Sequence, residues 1–153
     1  MSQDAARIAP LPSLPLPSSP LPCRHLSISV PRPAAAVYAF LADPANWPTW
    51  ASGLGTLKQL EDGRWVAQQD ANESDDGLAT IVFSPRNPFG ICDHTVTTAS
   101  GQQIYVPLRV IENNGGAEVI LTLYRLPGMD DAMWERDAKW VKGDLEALYE
   151  ILN

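Results

Sequence analysis

The sequence predicts an α+β domain: seven antiparallel strands, two short helices after the first strand, and one long C-terminal helix. Three observations carry that expectation: a period-two run near residue 25, turn signals at even intervals through the middle, and a helical spacing of apolar residues at the end. His25 to Val30 alternates polar and apolar residues, as a strand with one buried face requires, and Pro31 ends it. In RPAAAVYAFLADP, Pro33 suits a first helical turn, Val37, Phe40 and Leu41 share a face, and Pro44 forces a break after Ala42. The next stretch, DPANWPTW, permits only a turn or two of helix, because Pro44 and Pro48 remove backbone donors.

From residue 56, short apolar runs are separated by Asp62-Gly63, Asp76-Gly77, Asn87-Pro88-Phe89-Gly90, Ser100-Gly101 and Asn114-Gly115. The glycines stand 14, 13, 11 and 14 residues apart, which reads as consecutive hairpins over 56–61, 64–69, 78–84, 91–98, 103–112 and 117–125. At the end, Trp134, Ala138, Val141, Leu145, Leu148 and Leu152 follow at steps of three or four, one face of a helix more than 20 residues long. Asp130 or Asp131 can cap it. Gly143 inside that helix predicts a close approach of another backbone or of a ligand, since an interior glycine costs about 1 kcal/mol relative to alanine.

A chain of 153 residues with 45% apolar and 19% charged residues fits one soluble domain with a tail. Its net charge of −7 and pI near 4.6 argue against nucleic acid and against anionic membrane surfaces, which need a surplus of Lys and Arg. Nor does any segment read as membrane-inserting. Cys23 and Cys92 are too few and too far apart for a disulfide framework or a clustered zinc site. Both read as reduced thiols; no metal or cofactor is expected, and the expected location is cytoplasmic. Residues 1–22 hold six of the fourteen prolines and no aromatic residue. They read as a disordered, partly polyproline II tail ahead of a domain over 23–153, or as a recognition segment for a proline-binding partner around Pro15-Leu16-Pro17. The tail lacks the basic start and continuous apolar core of a secretory signal.

The order strand, two short helices, six-strand meander, long helix, together with SISVPRPAAAVYAFLADPANWPTW and AKWVKGDLEALYEIL, resembles the SRPBCC or START-like superfamily. That superfamily includes Bet v 1-like pollen allergens and polyketide cyclases, and NPFGICDHTVTT with VPLRVIENNGGAEVILTLYRLPGM looks like its polyketide-cyclase-like members. The resemblance spans residues 26–152. It implies a helix-grip fold, in which a seven-stranded antiparallel sheet wraps around the long C-terminal helix and leaves a cavity. Activity does not follow, because the superfamily holds carriers, cyclases, lipid-transfer domains and co-chaperone-like modules. In such a fold Trp47 and Trp50, three residues apart with Pro48 between them, face inward and close the cavity floor.

No phosphate loop, dinucleotide fingerprint, HExxH, CxxC or GxSxG occurs in the sequence. The best catalytic cluster is Cys92-Asp93-His94. Period two sets Cys92, His94 and Val96 on one face and Asp93, Thr95 and Thr97 on the other, so Asp93 and His94 are not a side-by-side dyad. With the Val96 face inward, His94 is a pocket imidazole suited to acid–base work; the plainer reading is a hydrogen-bonded histidine in the wall. Arg109 shares a face with Tyr105, Pro107 and Ile111. Pointing inward it would bind a carboxylate, enolate or phosphate; pointing outward it is a solvated surface residue. Tyr124 or Arg125 should turn inward at the mouth, and Trp134 and Val141 complete the expected lining. Glu73-Ser74-Asp75-Asp76 reads as a solvated acidic tip.

The expected function is binding of a small, mostly hydrophobic or aromatic ligand in the cavity, by Trp47, Trp50, Cys92, His94, Tyr124, Trp134 and Val141. One alternative is an enzyme of cyclase, dehydratase or isomerase type, with His94 as acid–base and Arg109 or Tyr124 stabilising oxygen charge. The other is a protein-interaction module. A homodimer stays open.

Overall fold

β1 (Cys23–Val30) pairs antiparallel along its whole length with the last strand, β8 (Gly116–Tyr124), setting Cys23 opposite Tyr124 and Val30 opposite Ala117. The structure is a computed structural model that describes residues 19–68 and 77–153. The proline-rich tail through residue 18, the acidic tip and the last residue of the strand expected over 64–69 lie outside the described residues. After β1 come α1 (Ala34–Leu41) and a 3-10 helix (Pro44–Thr49). Then β2 (Thr56–Gln59), β3 (Trp65–Gln68), β4 (Thr80–Phe83), β5 (His94–Thr97), β6 (Gln103–Val106), β7 (Leu108–Asn113) and β8 precede α2 (Asp131–Leu152).

The expected single seven-stranded sheet is instead two antiparallel ladders, β1-β8-β7 and β2-β3-β4-β5-β6. Pro107 explains the division. It has no N–H to give a ladder, so the strand expected over 103–112 splits into β6, paired with β5, and β7, paired with β8. The strand expected over 91–98 divides with it. Ile91 bridges to Arg109 and the Cys92 N–H donates to the Leu108 carbonyl at 2.8 Å, while β5 begins only at His94. Asp93 sits at this seam, where its Oδ1 accepts the Leu108 N–H at 3.0 Å. A side chain thus satisfies the first backbone donor after the proline.

Two turns show why their residues are needed. Asn114 and Gly115 have φ of 48° and 88°, the left-handed pair of a two-residue hairpin between β7 and β8. Gly90 has φ of 72°, and a Cβ there would lie 2.1 Å from the Val110 carbonyl oxygen. Only glycine lets the NPFG turn rest against β7.

Alternation along β8 buries Ala117, Val119 and Leu121, and register aligns Val119 with Ile28 of β1 and Val110 of β7. Leu145 and Leu148 of α2 join the same buried cluster, with Val37 and Leu41 of α1. Each such side chain contributes roughly 1.5–3 kcal/mol on burial. Asp130 caps α2 by accepting the Met133 N–H at 2.8 Å. No helix among the described residues is long and apolar enough to cross a membrane.

The expectation for Gly143 fails. It is exposed, and a Cβ added there meets nothing within 4 Å, so neither a backbone nor a ligand explains it. Gly143→Ala should therefore stabilise the protein by about 1 kcal/mol, read as a Tm rise of roughly 2–4 °C in a thermal melt. An unchanged or lower Tm would show that the position needs glycine after all.

Candidate functional site

The two tryptophans that flank Pro48 are both 4% exposed, with ring centroids 4.8 Å apart and planes tilted by 53°. Local capping sets them there. Asp43 accepts the Ala45 N–H at 3.0 Å, and Pro44 and Pro48 hold the chain in a 3-10 helix rather than an α-helix. Trp47 donates its indole N–H to the Leu41 carbonyl at 2.8 Å, which ties the 3-10 helix to the end of α1. Among the described residues the buried indole N–H of Trp50 has no hydrogen-bond partner, and neither has that of Trp134, which lies outside the cavity that Trp50 lines.

His94, the first residue of β5, is 7% exposed and meets Trp47 edge-on at 4.7 Å. Its Nδ1 lies 3.2 Å from the Cys92 carbonyl oxygen, an acceptor, so in the neutral ring Nδ1 carries the proton and Nε2 is a bare lone pair. Burial pushes the His94 pKa down to about 4, against opposing pulls from that carbonyl and from Asp93. At neutral pH the imidazole is uncharged.

Trp47, Trp50 and His94 line one cavity with Val96, Leu121 and Val141, among others, and its volume is about 370 Å³. That volume lies within the usual range for small-ligand sites. α2 supplies a further wall, where Asp137, Trp140, Val141, Asp144 and Leu145 recur at helical spacing and line the cavity. Trp140 stands at the rim, 53% exposed, and donates its indole N–H to the Ser52 hydroxyl. Ser52 in turn donates its backbone N–H and its hydroxyl to Asp144 Oδ1, at 3.1 and 2.6 Å. Partial burial pushes the Asp144 carboxyl above its ordinary pKa, although the Ser52 bonds pull the other way.

Other expected site residues lie elsewhere. Arg109 is not in the lining. It points outward from β7 with a half-exposed side chain and grips Asp93 through Nε and an Nη, both at 2.8 Å. Tyr105 also donates its hydroxyl to Asp93, at 2.5 Å, so the outer face of the sheet carries an Arg–Asp–Tyr cluster that holds the Pro107 seam. These bonds, Arg109 foremost, keep the Asp93 carboxyl at about 2 against the burial that opposes them. Asp93 and His94 therefore do stand on opposite faces. Cys92 is buried in the core beside the cavity rather than lining it, and burial pushes its thiol up to about 12. It is no nucleophile at neutral pH.

Tyr124 and Trp134 are also outside the lining. Trp134 lies beneath two guanidinium groups, Arg24 at 4.1 Å and Arg125 at 5.3 Å from the ring centroid, where the α2 N-terminus meets the ends of β1 and β8. The residues that sequence reasoning missed are Ser52, Asp137, Trp140 and Asp144. Their signal was present: Asp137, Trp140 and Asp144 flank the apolar stripe of α2 through Val141 at helical spacing.

No protein-family model matches the sequence, and no curated protein matches it. Solved structures do. Ara h 8.0201 is similar with a TM-score of 0.62 at 14% identity, over 87% of this chain and 98% of that one. The Zhui aromatase/cyclase from Streptomyces sp. R1128 is similar with a TM-score of 0.59 at 17% identity, over 86% of this chain and 94% of that one. A START superfamily protein from Mycobacterium smegmatis is similar with a TM-score of 0.56 at 10% identity, over 85% of this chain and 96% of that one. The chain has the SRPBCC/START-like helix-grip fold, and at these identities the likeness speaks for the fold alone.

Proposed function

We propose that the protein binds a small, mostly apolar molecule in the cavity between α2 and the sheet. One observation carries this reading: a mostly apolar space of about 370 Å³ lined by Trp47, Trp50, His94, Val96, Trp140 and Val141. A space that served only packing would be filled by side chains. Native mass spectrometry of the full-length protein tests the reading. A discrete non-covalent adduct, lost on unfolding and identified after extraction, is the expected result. A clean apo mass with no thermal shift across a panel of apolar and aromatic compounds would count against it.

A second reading is an enzyme of cyclase, dehydratase or isomerase type. It is favoured by the His94 ring, which lines the cavity with Nε2 unprotonated and free to accept a proton. Arg109 and Tyr124 lie outside the lining, so neither would stabilise oxygen charge beside His94. Turnover of the extracted ligand by the wild type and not by His94→Gln would favour this reading over simple binding.

A further inference from the structure

The charges around the cavity are all of one sign. Asp137 and Asp144 line it seven residues apart on α2, with Trp140 between them, and no Lys or Arg is among the described lining residues. His94, the remaining titratable residue of the lining, is neutral at physiological pH because of its burial. Asp144 uses Oδ1 for both Ser52 donors, and no group among the described residues meets its Oδ2. Among the described residues Asp137 has only its sequence neighbour Arg136, at 3.6 Å, a pair whose arginine is two-thirds exposed. Such a contact is weak. Deeper in, the lining is mostly apolar and aromatic, with Trp47, Trp50, Val96 and Leu121.

Resting on the ligand-binding reading above, we propose that this site selects a protonated amine with an apolar, ring-sized body. The ammonium sits at the rim between Asp137 and Asp144, against the face of Trp140, and the body lies on Trp47 and Trp50. Three physical terms favour this arrangement. A cation relieves the cost of a partly desolvated Asp144 carboxylate that the protein itself leaves half satisfied. A tryptophan face attracts cations more than neutral groups. The protein's net charge of −7 raises the local concentration of cations and lowers that of anions. A carboxylate ligand meets the reverse of all three, with no basic residue in the described lining to receive it.

Three probes with one body separate the proposal from its parent reading: 2-(2-naphthyl)ethylamine, 2-(2-naphthyl)ethanol and 2-naphthylacetate, titrated calorimetrically into full-length protein at pH 7. The amine should bind about 10-fold more tightly than the alcohol and roughly 100-fold more tightly than the acetate. In an Asp137→Asn, Asp144→Asn variant, checked by circular dichroism and thermal melt, the ratio of amine to alcohol affinity should fall to about one. The asparagine keeps an acceptor for Ser52, and Asp144→Asn alone serves if the double variant does not fold. Equal binding of amine and acetate, or an unchanged ratio in the variant, would overturn the amine selectivity while leaving the cavity a binding site. Binding of none of the three would overturn both.

Discussion

Asp93→Ala should destabilise the protein by about 3 kcal/mol, the largest loss expected from any single polar truncation in this fold. The carboxylate is 7% exposed and receives four hydrogen bonds: two from Arg109, one from Tyr105 and one from the Leu108 N–H. Alanine would strand that backbone donor at the point where the two ladders meet, with Pro107 unable to supply a bond of its own. Arg109→Ala should cost only about 1 kcal/mol, because the guanidinium is half exposed and water replaces part of what is lost. Urea denaturation of the two variants checks the ranking. If Arg109→Ala cost as much as Asp93→Ala, the ion pair rather than the seam hydrogen bond would be the source.

Stability should also fall as the solution is acidified from about pH 6.5 to about pH 4, and His94 sets that window. The unfolded chain takes up a proton on this residue near its ordinary 6.5, whereas in the folded protein burial holds the pKa near 4. The unfolded state therefore binds more protons between those values, so the His94 contribution is intact above the window and lost below it. The loss is on the order of 3 kcal/mol. Below it, Asp93 adds a second loss as pH falls from 3.8 to about 2, since its folded pKa is depressed. Asp144 acts in the opposite direction, because its raised pKa makes the folded protein the better proton acceptor there. Unfolding free energies at pH 7 and pH 4.5, compared with those of His94→Gln, isolate the first window. An equally steep pH dependence in the variant would remove His94 as its origin.

The outer cluster and the cavity do different work, although Asp93 and His94 are adjacent in sequence. A catalytic proposal built on a Cys92-Asp93-His94 triad would have mixed a core thiol, a seam carboxylate and a cavity imidazole. Strand alternation was enough to separate the last two, because neighbouring side chains on a strand leave it on opposite sides. It could not say that Asp93 would find Arg109 and Tyr105, which are 16 and 12 residues away along the chain.

What the sequence by itself determined is local and periodic. Glycines at even intervals divided the hairpins, the spacing of Trp134 to Leu152 produced α2, and Pro48 between Trp47 and Trp50 set two indoles on one turn. These follow from φ restriction and from 3.6- and 2-residue periodicity, which neighbouring residues impose on one another. The tertiary structure alone decided which side chains meet across the cavity. The division of the sheet at Pro107, the seating of Arg109 on Asp93, and the approach of Ser52 to Asp144 over 92 residues depend on how the two ladders pack around α2. Such long-range pairings are selected by which buried polar groups can be satisfied together, and no local window of sequence contains both partners.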